Sequence, residues 1–337
     1  MTMKKNFWIL SACCSLMMLG VGCARQKPQP ISQEFNWPVM GTYANLIVRG
    51  EQRDTALELA KKAVEEVNAD LSVFVKDSEI SKVNTAAGSG DYTRLDTHAL
   101  VMLRESKRYF EESGGAFNAA VGPLMEAWGF FRGGLKEDFP PSPGLIEKTL
   151  PLCDFRSVDL RGDGAARLLK PGMRLDFGAI AKGYGVDVAF GRLLEAGFTN
   201  CMMNLGGNMR CSGRPYDDVA AWRIAVRDPR EPLDGDTLGT LMLTDGMAVA
   251  TSGNYEQFFE LNGKRYTHIM DPRTGMPVSG MAQVTVVAKT ATEADALSTT
   301  CFVLGREKSE PVLALHPGSG ALFVKVNAAG ELESEMA

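Results

Sequence analysis

Histidine is scarce in this chain, cysteines are not spaced as metal ligands, and glycine-rich nucleotide fingerprints are missing. Each shortage excludes a class of function. Only three histidines occur in 337 residues: His98, His268 and His316. The seven cysteines include no group at metal-ligand spacing, which argues against a zinc site. No G-x-G-x-x-G follows a strand-like run, and no G-x-x-x-x-G-K-[ST] loop occurs, so a standard dinucleotide or triphosphate fold is not expected. No nucleophile elbow surrounds Ser252 in Thr251-Ser-Gly-Asn-Tyr255, which removes a serine hydrolase. Acids outnumber bases by 41 to 36, so a nucleic-acid binder is not expected. There is no internal repeat, and no second run of membrane-spanning length.

The N-terminus is a targeting segment. Lys4 and Lys5 precede an apolar stretch from Phe7 to Val21, in the order and length of a signal peptide. Leu19-Gly-Val-Gly-Cys23 resembles a bacterial lipobox, with Gly20 in the place usually taken by Leu. The expectation is a signal peptide over 1–22 and a lipidated Cys23. A flexible tether over 23–33, carrying Pro28 and Pro30, leads to one domain over 34–332. The protein would then be an exported bacterial lipoprotein, anchored in a membrane and facing the periplasm. Losing residues 1–22 removes two lysines and no acid, which takes the net charge from −5 to −7. Cys153, Cys201, Cys211 and Cys301 remain besides Cys23, either with a Cys201–Cys211 bridge or as small buried thiols.

The periodicity predicts helices over Asp54–Leu71, Asp96–Glu112, Ala181–Ala196 and Thr292–Leu304. In the first, Leu57, Ala60, Val64, Val67 and Leu71 share a face. Phe35 to Val48 reads as a strand interrupted at Met40-Gly-Thr42, and Leu71 to Asn84 reads as turn-rich. Short β-favouring runs dominate after residue 165: Arg167–Leu169, Met173–Leu175, Cys201–Leu205, Trp222–Val226, Thr240–Leu243, Met247–Ala250, Tyr266–Ile269, Gln283–Ala288 and Ala321–Val326. Helices and strands segregated in this way predict an α+β fold with mostly antiparallel sheet in a single compact unit.

Three stretches could carry chemistry. Leu175-Asp-Phe-Gly-Ala-Ile-Ala-Lys-Gly-Tyr-Gly-Val-Asp187 places Asp176, two tight glycines and Lys182 at a turn into a helix, a setting suited to phosphates. The alternative is an ordinary glycine-rich turn. In Glu293-Ala-Asp-Ala-Leu-Ser-Thr-Thr300, Asp295, Ser298 and Thr299 fall at i, i+3 and i+4 and share a face. Such oxygens suit Mg²⁺ when backbone carbonyls and phosphates complete the set, whereas helix capping by Thr292 and Asp295 is the plain reading. His268, in Tyr266-Thr-His-Ile-Met-Asp-Pro-Arg-Thr-Gly-Met-Pro277, runs into a dense polar turn, as a general base would, although a lone histidine can equally be structural. His98 and His316 read as surface or helix residues. Gly115 to Pro123 and Trp128-Gly-Phe-Phe131 offer aromatic surface for a planar ring.

In this order, and over about residues 35 to 330, these motifs resemble the ApbE family of FAD:protein FMN transferases. The pieces are Met40-Gly-Thr42, Leu71-Ser-Val-Phe74 with Ser78 to Asn84, Gly115-Ala-Phe117 with Val121-Gly-Pro123, and Trp128-Gly-Phe130. They continue with Asp176 to Asp187, Asn204-Leu-Gly-Gly207, Thr251-Ser-Gly253, His268 to Pro277 and Ala294 to Thr299. The resemblance implies an α+β fold of the tunnelling-fold-related type. It implies Mg²⁺ as cofactor and FAD as substrate, with FMN transferred to a Thr or Ser hydroxyl of a target flavoprotein and AMP released. The metal would be held by the Ala179 carbonyl, Asp295 and Thr299; Ser298 stands where some members carry a further acidic ligand. FAD contacts would fall on Met40, Phe74, Ala116, Phe117, Asn118, Asp176, Lys182 and Met270, with Asn118 where Asp is common. Lys182 and Asp295 would serve catalysis, with His268 as base. The implied acceptor is a flavin-carrying subunit of a membrane redox complex or another electron-transfer protein. An FAD pyrophosphatase and a non-enzymatic FAD-binding lipoprotein are the competing readings.

Overall fold

The computed structural model describes residues 32–131, 139–216, 218–230, 235–327 and 329–337. The expected signal peptide, Cys23 and most of the tether lie outside the described residues.

Eight strands form the main sheet: β1 (Ser32–Val39), β2 (Thr42–Arg49), β3 (Cys201–Leu205), β4 (Asn208–Ser212), β5 (Ala248–Gly253), β6 (Gln283–Ala288), β7 (Gly320–Val326) and β8 (Leu332–Met336). They lie side by side in chain order, and every neighbouring pair is antiparallel. The break expected near Met40 is a two-residue hairpin turn. Met40 and Gly41 both have positive φ, 51° and 71°, which matches the twist that tight hairpins need. β4 and β8 were not expected from the sequence, and the sheet runs past residue 332 to Met336.

Helices cover one face. α1 (Arg53–Leu71) buries Ala56, Ala60, Val64, Val67 and Leu71 against the β1–β2 end of the sheet and against α3 (Ala181–Glu195), while α2 (Thr97–Glu112) packs on α1. α3 crosses β3 and β4, and α4 (Ala291–Leu304) crosses β5 and β6 and packs on α3. α5 (Arg306–Ala314), which periodicity did not reveal, follows at once. On the opposite face a separate hairpin, Trp222–Arg227 paired with Thr237–Leu243, closes a smaller cluster of Met202, Cys211, Trp222, Ile224, Leu243 and Val249.

Strand alternation decides the cysteine question. Cys211 lies opposite Met202, so it shares that residue's face, whereas Cys201 points into the helix-covered core. The two thiols sit on opposite sides of the sheet, and all four described cysteines are free and buried. A Cys201–Cys211 bridge is ruled out, because cysteines whose side chains point apart cannot be joined without moving the backbone.

Two local expectations fail for a shared reason. The turn-rich stretch before Asn84 contains a short helix over Glu79–Thr85, capped by the Ser78 hydroxyl, which accepts from the Ser81 N–H at 3.0 Å, and buried through Ile80 and Val83. Met173–Leu175 is extended but joins no sheet. The Asn84 side chain accepts from the Leu175 N–H (2.7 Å) and donates to its carbonyl (3.0 Å), taking the place of a neighbouring strand.

Candidate active site

The site lies where the chain enters α3 and where α4 crosses it. The Asp176 N–H donates to the Ala119 carbonyl at 2.7 Å, and the Asp176 carboxylate accepts from the Gly178 N–H at 2.7 Å, folding a tight turn. Burial pushes the Asp176 carboxyl above its usual range, against the opposing pull of Arg174 and Lys182. Four residues after Gly178, Lys182 donates to its carbonyl at 2.9 Å and stands 3.7 Å from an Asp295 oxygen.

Asp295 comes from α4 and is only 4% exposed. Its Oδ2 accepts the Gly183 N–H at 2.8 Å. Gly183 lies in the first turn of α3, where a backbone N–H has no acceptor within its own helix. The Ala179 carbonyl, just before the helix, accepts no hydrogen bond among the described residues. Gly183 permits the approach: a Cβ there would lie 2.1 Å from the Ala291 oxygen and 2.7 Å from the Asp295 Cβ. Burial raises the Asp295 carboxyl, while the Lys182 charge and the Gly183 N–H favour its ionised form.

Thr299 sits one turn beyond Asp295, with its hydroxyl 3.3 Å from the Ser252 hydroxyl. Ser298 faces inward. It is fully buried, donates to the Asp295 carbonyl at 2.9 Å and contacts the Ser252 hydroxyl at 2.8 Å, so its oxygen is engaged within the protein. The N-terminus of α4 is capped by Thr290, whose hydroxyl accepts from the Glu293 N–H, and not by Thr292 or Asp295. Asp295 is thus free to serve the site.

His268 follows the strand Lys264–Thr267. The Gln257 carbonyl accepts from its backbone N–H at 3.0 Å and from its ring Nδ1 at 3.1 Å, which leaves Nε2 as the nitrogen with an open lone pair. Burial first, and the nearby Lys182 charge next, push the imidazole down to about 4, so it is neutral at physiological pH.

The other expected contacts divide into groups. Met40 stands at the β1–β2 turn over the start of α3, where a Cβ on Gly185 would meet its sulfur at 3.7 Å. Ala116, Phe117 and Asn118 are buried. Asn118 donates to the Cys153 carbonyl at 2.6 Å and accepts from the Ala120 N–H at 2.8 Å, so it serves the wall of the site as a brace. Met270 packs among Leu124, Trp128, Ile146 and Cys153, and its main chain lies opposite Pro277 in a short strand pair. The aromatic surface differs from expectation. Phe117 and Trp128 are almost fully buried, whereas Phe74, 48% exposed, meets Phe131 edge-on at 6.0 Å between centroids. His316, expected at the surface, lies buried between Glu293 (2.6 Å) and Glu112 (3.0 Å) and stacks on Tyr109. Among the described residues no group of three or more His, Cys, Asp or Glu could hold a metal, so any cation here would rest on a carboxylate, a hydroxyl, a carbonyl and ligand oxygens.

The model of the ApbE family matches residues 40–323, most of the chain and all of the site. The chain belongs to the ApbE family. A protein of Treponema pallidum named FAD:protein FMN transferase is 37% identical over 285 residues, covering 80% of this chain and 76% of that protein. A Vibrio cholerae protein of the same name is 32% identical and covers 95% of this chain and 94% of its own length. The solved structure of the flavin transferase ApbE from Vibrio cholerae superposes with a TM-score of 0.80 at 28% identity, covering 91% of this chain and 98% of that one. The crystal structure of the ApbE protein from Thermotoga maritima gives 0.79 at 31% identity, with coverages of 90% and 96%. The architecture is the ApbE-type α+β fold in a single compact unit.

Sequence reasoning missed three groups in this ApbE site. Ser252, discarded as a nucleophile, joins Ser298 and Thr299 by hydroxyl contacts. The Gln257 carbonyl orients His268, and no side-chain pattern could announce a carbonyl. Asp187 closes the motif around Lys182, yet its spacing to α4 exists only in the folded chain.

Proposed function

We propose that this chain is an FAD:protein FMN transferase that moves FMN from FAD to a Thr or Ser hydroxyl of a target flavoprotein and releases AMP. The observation that carries this reading is the buried Asp295 carboxylate, held by the Gly183 N–H at the first turn of α3 and 3.7 Å from the Lys182 ammonium. The Ala179 carbonyl just precedes that turn, and the Thr299 hydroxyl lies one turn along α4 from Asp295. That all-oxygen group fits Mg²⁺ with diphosphate oxygens as further ligands. When bound, Mg²⁺ would neutralise charge on the diphosphate.

The protein's own groups supply the remainder. Lys182 places a cation where a diphosphate oxygen gains charge as the P–O–P bond breaks. The acceptor oxygen attacks the FMN-side phosphorus, its O–P bond forms, and the AMP phosphate leaves with the bonding electrons. The acceptor's proton passes to His268 Nε2, the nitrogen left open by the Gln257 contact. The turn at Asp176 and the brace at Asn118 hold the neighbouring chain in place, and the exposed Phe74 ring, edge-on to Phe131, is the aromatic surface on hand for a flavin.

Export as a lipoprotein through Cys23, and an acceptor within a membrane redox complex or another electron-transfer protein, complete the proposal. Lys4, Lys5, the apolar run to Val21 and the lipobox-like Leu19 to Cys23 support it. The full chain is incubated with FAD, Mg²⁺ and a Thr-containing acceptor domain and read by intact mass. Gain of FMN less water on the acceptor, only with Mg²⁺, is the expected result. FMN and AMP released with the acceptor unmodified would replace transfer by hydrolysis.

A further inference from the structure

The residues that meet between α3 and α4 repeat every four positions. On α3 these are Gly183 and Asp187; on α4 they are Asp295 and, one turn earlier, Ala291 with Thr292. Asp187 accepts the N–H groups of Ala291 (3.0 Å) and Thr292 (2.8 Å) and the Thr292 hydroxyl (2.5 Å). One turn on, Gly183 donates to Asp295. The two helices run in opposite directions, so Asp295 meets the first turn of α3, just after Ala179, and Thr299 follows one turn further along α4. Asp187 is also held from the sheet by Arg210 of β4 at 2.8 Å, and the Arg210 guanidinium lies 4.7 Å from the Phe190 ring centre. One carboxylate therefore ties together α3, the first turn of α4 and β4, two turns away from the proposed cation.

We propose that Asp187 is a positioning residue that sets the register of α4 on α3, and through it the spacing of Ala179, Asp295 and Thr299 around the cation. This inference rests on the cation reading given above. Asp187 reaches neither cation nor substrate; it acts through the amides of α4. Groups that orient metal ligands in this way typically change affinity by about 10–100-fold when replaced. Asn in its place could accept through one oxygen only and would turn its own N–H groups toward two donors.

The test is calorimetric titration of Mg²⁺ into the full chain loaded with ADP, a diphosphate that cannot donate FMN, alongside unfolding midpoints without ligand. Asp187→Asn and Asp187→Glu should both weaken Mg²⁺ binding by about 10–100-fold. Thr292→Val, which removes one contact and keeps the fold's charges, should weaken it by a smaller factor in the same direction. It carries the test if the Asp187 variants do not fold. Tight Mg²⁺ binding in Asp187→Glu with loss only in Asp187→Asn would overturn the inference in favour of a through-space charge effect. A lowered midpoint with unchanged Mg²⁺ affinity in Asp187→Asn and Thr292→Val would overturn it in favour of a structural role alone. No Mg²⁺ binding by the unsubstituted chain would overturn the cation reading, and this inference with it.

Discussion

The two faces of the main sheet are built from alternate residues of the same strands, yet they are held together by different physics. On the hairpin side, Met202, Cys211, Trp222, Ile224, Leu243 and Val249 form a cluster of apolar side chains, and the one polar group of Trp222 donates to the Ser212 carbonyl at 3.2 Å. On the helical side, the same strands meet helices whose buried contacts include Asp187, Arg210, Asp295, Ser252, Ser298 and the His316 pair. Apolar burial is non-directional and tolerates small shifts, whereas a buried carboxylate must keep its donors or suffer the desolvation cost. The site sits on the face where contacts are directional, and that is what gives it a fixed geometry.

The largest expected effect separates the faces outright. Asp295→Ala should abolish transfer measured by acceptor mass, while stability in urea changes by no more than about 2 kcal/mol, because a lost amide partner is offset by relief of a buried charge. Retained transfer in this variant removes the cation assignment. His268→Ala should slow transfer by roughly 10²–10⁴-fold at saturating FAD, the range of a lost general base. A variant as fast as the parent would leave proton removal to solvent. The opposite face should respond in reverse. Trp222→Ala should cost about 3–5 kcal/mol in urea unfolding with kcat preserved in the folded fraction. A kcat loss there would mean the faces are coupled.

The smallest effect sharpens the comparison through pH. Hydrogen bonds donated to the Glu293 and Glu112 carboxylates hold the His316 imidazole above its usual value, against burial, and the His316 contact in turn holds the Glu293 carboxyl down. Tyr109 and Arg108 are the other titratable or charged groups around it. A raised folded-state value means that the stabilising contribution is complete below the unfolded value of about 6.5 and is lost as pH rises through the folded value. His316→Gln should therefore lower stability by about 1–3 kcal/mol at pH 6 and by less at pH 9, with midpoints read across that range. His268 has the opposite sign: its contribution is complete above about 6.5 and falls away as pH drops toward 4. An unchanged difference between parent and His316→Gln across the range would show that folding does not raise the His316 imidazole.

Much of this was legible in the linear chain. The spacing of Leu57, Ala60, Val64, Val67 and Leu71 specifies α1, because a 3.6-residue repeat is a local property. Asp176, Lys182 and Asp295 announced themselves as rare polar groups among glycines and apolar neighbours, and their motif order led to the family. Three kinds of feature stayed hidden. Asn84 imitates a strand for Leu175 across 91 positions of sequence, so its role appears only after folding. Ser298 and Thr299 are adjacent and chemically alike, yet the helix turns one inward to Ser252 and the Asp295 carbonyl and leaves the other toward the site. Cys201 and Cys211 looked close enough to bridge, and strand pairing set them on opposite faces.

By itself, the sequence determined which residues could do chemistry and which segments would be helix or strand, since both follow from residue type and local period. The tertiary structure alone decided which oxygens are free. Asp295 took the Gly183 N–H, and Glu112 and Glu293 enclosed a histidine that looked superficial. Hydrogen-bond partners that lie a hundred or more positions apart are chosen by packing, because a buried donor or acceptor must take whatever partner the folded chain brings within 3 Å.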